Sequence, residues 1–173
     1  ELGARLVPFA GYEMPVQYPS GIIAEHNHTR RAASLFDVSH MGQLSLRGVG
    51  ASTGLEALVP GDIAGLSAGR IRYTTFTNDR GGIIDDLMVA NVGDYLFLVV
   101  NGSRRDVDVA HLRENLPTLQ IKELDRALIA LQGPAAAQVL DRLAPGAGSL
   151  AFMQAAPFVL EGVRLAVLRS GYT

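Results

Sequence analysis

The chain has 173 residues, enough for one compact domain or two small lobes with a real core. Its 15 Lys and Arg against 17 Asp and Glu give a net charge of −2 with no basic run, which argues against a nucleic-acid partner. No apolar stretch is long enough to span a membrane, and the lack of Cys excludes disulfides, a thiolate metal site and a Cys nucleophile. Charged residues make up 18% and apolar ones 48%, a low charge content that points to surface packed against further polypeptide. Glu1 stands where a native chain has Met, no signal-peptide pattern is visible, and Arg169-Ser170-Gly171-Tyr172-Thr173 closes no element. A segment of a longer protein is expected, from the cytoplasm or, in a eukaryote, the mitochondrial matrix.

Residues 5–9 read as a short strand, followed by a turn-rich passage in which Pro15 and Pro19 bracket an irregular loop holding Tyr18. Ser20 is a candidate N-cap for a helix over 22–34, with Glu25 early and Arg30 and Arg31 late, as the helix dipole favours. His26 and His28 are two apart, so they do not form a metal pair on one helix face. Gln43-Leu44-Ser45-Leu46 alternates like a half-buried strand. Before it, Asp37, Ser39 and His40 lie close together. Neighbouring Ser39 and His40 point apart in an extended chain, so a hydrogen-bonded knot is expected there, not a catalytic triad. The glycines at 48, 50 and 54 are one residue too widely spaced for a dinucleotide fingerprint, and hairpins follow, so that fold is excluded. A helix over 51–58 is expected instead, stopping at Pro60-Gly61.

Residues 70–77, 83–90 and 94–100 read as successive strands joined by short Gly- and Asn-rich turns, hence antiparallel hairpins. Ser103 can cap a helix over 104–116, with Val107, Ala110, His111 and Glu114 at helical spacing and Pro117 as its stop. A short strand over 120–124 and an apolar strand over 127–131 come next. Gln132-Gly133-Pro134 then turns the chain into a helix running to about residue 143. Residues 157–160 and 163–169 form a hairpin across Glu161-Gly162. The order predicts an α+β fold of mainly antiparallel sheets backed by helices, arranged as two ferredoxin-like units.

The middle strand of the central hairpins carries the sequence's oddest feature. Alternation puts Ile83, Asp85, Leu87 and Val89 on one face and Ile84, Asp86, Met88 and Ala90 on the other. Each face is apolar but for one carboxylate, and Asp is disfavoured within strands. Two readings stand. The carboxylates are wetted at a strand end or paired with Arg70 or Arg72, or one of them faces a ligand, where it orients or exchanges a proton with a basic nitrogen.

Further stretches accumulate around this one: Phe9-Ala10-Gly11-Tyr12-Glu13-Met14-Pro15-Val16-Gln17-Tyr18, Leu35-Phe36-Asp37-Val38-Ser39-His40-Met41-Gly42, residues 78–86 (NDRGGIIDD), Ala130-Leu131-Gln132-Gly133-Pro134 and Ser170-Gly171-Tyr172-Thr173. In this order, and across essentially the whole chain, they resemble the N-terminal part of the glycine cleavage system T-protein family, folate-binding aminomethyltransferases. The resemblance implies transfer of the aminomethyl group from the lipoyl arm of the H-protein to tetrahydrofolate, giving 5,10-methylenetetrahydrofolate and ammonia, with no metal. It implies that Asp86 holds and polarises the folate nitrogens, with Asp85 as a structural partner. It places Met41, Thr74, Val99 and Asn101 along the folate pocket and Tyr172 beside the pterin. Thr74 departs from the larger residue of some relatives. The family's acidic pterin clamp and a later Arg fall beyond Thr173, so this segment alone is expected to be inactive. Alternatives from the same fold are the folate-binding part of a sarcosine or dimethylglycine dehydrogenase and a non-enzymatic folate-binding protein of iron–sulfur assembly. A further alternative is a domain in which Asp86 merely pairs with an arginine.

Overall fold

In the computed structural model, residues 2–171 are described. Along the chain run β1 (Arg5–Phe9), β2 (Tyr12–Gln17), α1 (Ile22–Arg31), β3 (Ser34–Asp37), β4 (Gly42–Arg47) and α2 (Ala51–Glu56). There follow β5 (Ile71–Thr77), β6 (Ile83–Asn91), β7 (Leu96–Val100), α3 (Arg105–Asn115), β8 (Gln120–Glu123), β9 (Ile129–Gln132), α4 (Ala136–Leu143), β10 (Gln154–Leu160) and β11 (Val163–Arg169). The chain divides into two compact units, residues 1–40 with 127–149 and residues 41–126 with 150–173.

The unit built on residues 41–126 holds a sheet of order β5-β6-β7-β4-β8, with every neighbouring pair antiparallel. Within it, β4-α2-β6-β7-α3-β8 is a βαββαβ run with β4 and β7 central, which is the ferredoxin-like arrangement. The preceding hairpin strand β5 extends its edge. One such unit is complete among the described residues, rather than two. Leu55 of α2 and Val109 and Leu112 of α3 are buried against Leu44, Leu46, Phe76, Leu87 and Leu98 on one face of the sheet. On the other face Ile71, Met88, Ala90 and Phe97 pack with Ala155 of β10 and Leu168 of β11. β4 is buried from Gly42 to Leu46 on both faces, where alternation alone predicts one wet face.

The buried face of α3 also differs from the expectation. Val107, Ala110 and Glu114 are exposed, and the face turned inward carries Asp108, Val109 and Leu112, continued by Leu116 after the helix. No side-chain cap forms at Ser103. A 3₁₀ turn over Gly102–Arg104 leads into the helix.

In the other unit, β1 and β2 form a hairpin through Ala10 and Gly11, both at positive φ (48° and 82°), which is the twist a two-residue turn needs. The passage predicted as irregular is thus a strand that includes Pro15, tolerated because a two-stranded sheet has only edges. α1 is capped by Gly21, not Ser20. The Glu25 carboxylate instead accepts the Tyr18 N–H at 2.7 Å, tying the loop to the first turn. β3 pairs antiparallel with β9. Just after β3 the expected knot is present: the Leu128 N–H donates to Ser39 Oγ at 3.0 Å, and the Ser39 N–H to Asp37 Oδ1 at 3.0 Å. Hydrogen bonds from Ser39 hold the Asp37 carboxyl below the usual range. The His40 ring meets the Phe9 and Tyr12 rings edge-on, so it serves packing and not a triad.

Candidate functional site

The carboxylates of β6 sit where its ladder changes. From Leu87 to Ala90 the strand is buried on both faces, whereas Asp85 and Asp86 are half-buried. β7 pairs with β6 only as far as Val100, opposite Leu87, and the chain then turns away at Asn101. The Asn101 side chain takes over the open end. Its amide nitrogen donates to Asp86 Oδ1 at 2.9 Å and to Asp85 Oδ1 at 3.1 Å, and lies 3.4 Å from the Asp86 carbonyl. One neutral carboxamide thus uses both N–H groups to hold two adjacent carboxylates that face opposite sides of the sheet.

On the Asp86 side, the Tyr73 hydroxyl donates to Asp86 Oδ2 at 3.0 Å. The pairing Thr75↔Asp86 and Tyr73↔Met88 puts Tyr73 diagonally across from Asp86 on the same face. Tyr73 is 53% exposed, so this carboxylate lies at the edge of water and not in a dry core. Tyr73 also lines a cleft of about 520 Å³ with Arg70, Ile71, Phe152 and Met153; Asp86 is outside that lining. Among the described residues no arginine forms an ion pair with Asp85 or Asp86, and Arg72 instead lies 4.0 Å from Asp62. The reading of a simple Asp–Arg pair gains no support from this geometry.

The Asp85 side is different. It faces the helices, and beside it lies Asp108 of α3, fully buried. Burial, then the neighbouring Asp85, push the Asp108 carboxyl up to about 7, against a lesser opposing pull from Arg104. The folded chain therefore binds a proton at Asp108 that the unfolded chain has lost by about pH 4. This term stabilises the fold most in acid and fades as pH rises toward about 7. Relative to wild type, Asp108→Asn is expected to gain stability between pH 4 and 7, by on the order of 4 kcal/mol at most. Urea unfolding of both proteins at pH 5 and pH 8 reads that difference; a gap that does not change with pH would contradict it.

Of the residues expected around the pocket, Val99 pairs with Met88 and shares the face of Asp86. Met41 immediately precedes Gly42, which pairs with Val100, so it lies at the same end of the sheet as Asp86 and Asn101. Thr74 is not brought to them. It is 6% exposed and lies on the helix-covered face, paired with Leu87. Tyr172 lies outside the described residues.

With that geometry in view, comparison with known proteins decides the family. The model of the GCVT N-terminal domain matches residues 1–173. The chain belongs to the GCVT N-terminal domain family. It is 42% identical over its full length to a mitochondrial aminomethyltransferase of Dictyostelium discoideum, spanning 46% of that protein. It is 44% identical over 99% of its length to an aminomethyltransferase of Deinococcus deserti, spanning 49% of that one. The chain thus spans about half the length of the curated relatives it matches. In the crystal structure of glycine cleavage system aminomethyltransferase T from Bartonella henselae, 44% of the chain matches 89% of this one, with a TM-score of 0.83 and 41% identity. A chain of heterotetrameric sarcosine oxidase from Corynebacterium matches 86% of this chain over 78% of its own length, at a TM-score of 0.58 and 23% identity, which is a likeness of fold.

Two residues of this candidate site escape the sequence reading. Tyr73 was legible in principle, since strand alternation and hairpin register put it, not Thr74, on the face of Asp86. Asp108 was legible too: it stands four residues before Leu112 and eight before Leu116, on the helix stripe that proves apolar.

Proposed function

We propose that the chain is the N-terminal part of a folate-binding aminomethyltransferase of the glycine cleavage system. It receives the aminomethyl group carried on the lipoyl arm of the H-protein and passes the one-carbon unit to tetrahydrofolate. The observation that carries this reading is the Asp86 carboxylate, held by Tyr73 and Asn101 at a half-open sheet end within a GCVT domain. A carboxylate with two donors fixing it and one side turned to water is pre-positioned to meet an amine. Asp86 would align the folate nitrogens that attack the methylene carbon and handle the proton they release. Met41, Val99 and Asn101 would line the folate around it, and Tyr172 would flank the pterin. Thr74, on the covered face, could act there only through the packing of β5, and Tyr73 takes its place. Cytoplasm, or the mitochondrial matrix in a eukaryote, suits this role.

Tetrahydrofolate titrated calorimetrically into the complete protein and into residues 1–173 tests the reading. Binding is expected for the complete protein and not for the segment, because the family's pterin clamp lies beyond Thr173. Absence of binding in the complete protein would leave a likeness of fold only.

A further inference from the structure

Among the described residues, three carboxyl oxygens lie buried beneath the site with no hydrogen-bond donor: Asp85 Oδ2 and both oxygens of Asp108. Asp85 Oδ1 is already occupied by the Asn101 amide. The groups that act on Asp108 are Asp85 and Asp86 from β6 and Arg104 from the turn before α3. Arg104 does not pair with it; its guanidinium donates to the Ile84 carbonyl, 3.4 Å away. Two ionised carboxylates facing each other in a buried position would repel and leave acceptors unmet. A single proton placed between them removes the repulsion and gives Asp85 Oδ2 the donor it lacks, because the protonated carboxyl donates.

We propose that Asp108 is a positioning residue of this site: it retains a proton and donates it to Asp85 Oδ2, which fixes Asp85 so that its other oxygen locks the Asn101 amide against Asp86. The arrangement runs from α3 through Asp85 and Asn101 to the carboxylate on the opposite face of the sheet. Loss of the shared proton puts two charges side by side, pushes Asp85 off its place and frees one N–H of Asn101. The catalytic part of this inference rests on the proposed aminomethyltransferase reading; the shared proton does not.

Carboxyl-carbon NMR of the complete protein, with aspartate labelled and Asp108 assigned by its loss in Asp108→Asn, tests the proton directly. Asp108 is expected to titrate near 7, far above the ordinary value of 3.8. The Asn101 side-chain amide signals are expected to move with the same midpoint. Asp108→Asn keeps a donor toward Asp85, so it should hold the Asn101 signals at their low-pH positions throughout and keep tetrahydrofolate affinity within about twofold of wild type. Asp108→Ala removes the donor, and is expected to displace the Asn101 signals and weaken tetrahydrofolate binding about tenfold. If Asp108→Ala does not fold, the wild-type titration and Asp108→Asn still decide. Titration of Asp108 in the ordinary carboxyl range, or Asn101 signals indifferent to it, overturns the proposal. Titration of Asp108 near 7 without any tetrahydrofolate binding keeps the shared proton and sinks the functional reading instead.

Discussion

On the proposed aminomethyltransferase reading, Asp86→Asn is expected to lower aminomethyl transfer by the complete protein by about a hundredfold or more, while changing its stability by only about 1 kcal/mol. The two effects separate because of where Asp86 sits. It is half-buried at the end of the β6 ladder, and the donors that hold it keep other options. The Asn101 amide retains Asp85 Oδ1, and the 53% exposed Tyr73 remains in reach of water. The asparagine keeps the shape of the side chain but loses the negative charge that would steady a developing positive nitrogen. Single-turnover transfer and urea unfolding on the same preparation distinguish the cases. A variant several kcal/mol less stable, with its transfer rate preserved per folded molecule, would mark Asp86 as a buried structural partner.

Gly133→Ala is expected to be the most damaging glycine substitution for the fold, costing roughly 3 kcal/mol or more. Gly133 has φ of +116°, and a Cβ there would run into the Thr29 and Ala32 carbonyl oxygens at the end of α1. Those are backbone atoms of a helix terminus, so they cannot swing aside as a long side chain would. The approach is needed for the next step of the chain, in which the Ala135 N–H donates to the Ala32 carbonyl at 3.0 Å. Gly162→Ala is the matched control: its φ of +82° is also positive, but no atom of the described residues lies within 4 Å of the added carbon. That variant is expected to lose about 1 kcal/mol, the cost of the backbone conformation alone. Equal unfolding midpoints for the two variants would show that the collision is relieved by a shift of α1.

The hairpins of β5, β6 and β7, the hairpin of β10 and β11, and the carboxylate pair on opposite faces of β6 were all determined by local sequence. Glycine and asparagine at the turns fix where the chain reverses, and a period of two fixes which side chains share a face. The same information excluded a dinucleotide fold and a Ser39-His40 triad. Only tertiary structure decided which faces are dry. β4 alternates like a surface strand and is buried on both sides, with Leu44 and Leu46 in the helix-covered core and Gln43 and Ser45 buried on the opposite face. α3 turns Asp108 inward and Val107 outward, against what hydrophobicity alone suggests, because the partner stripe is set by Leu112 and Leu116. Pairing register decided that Tyr73, and not Thr74, meets Asp86. The contacts that make the site — Asn101 across both carboxylates, Asp108 beneath Asp85 — join residues 15 or more positions apart. No local pattern carries such a separation; it exists only once the sheet has closed and the helix has packed on it.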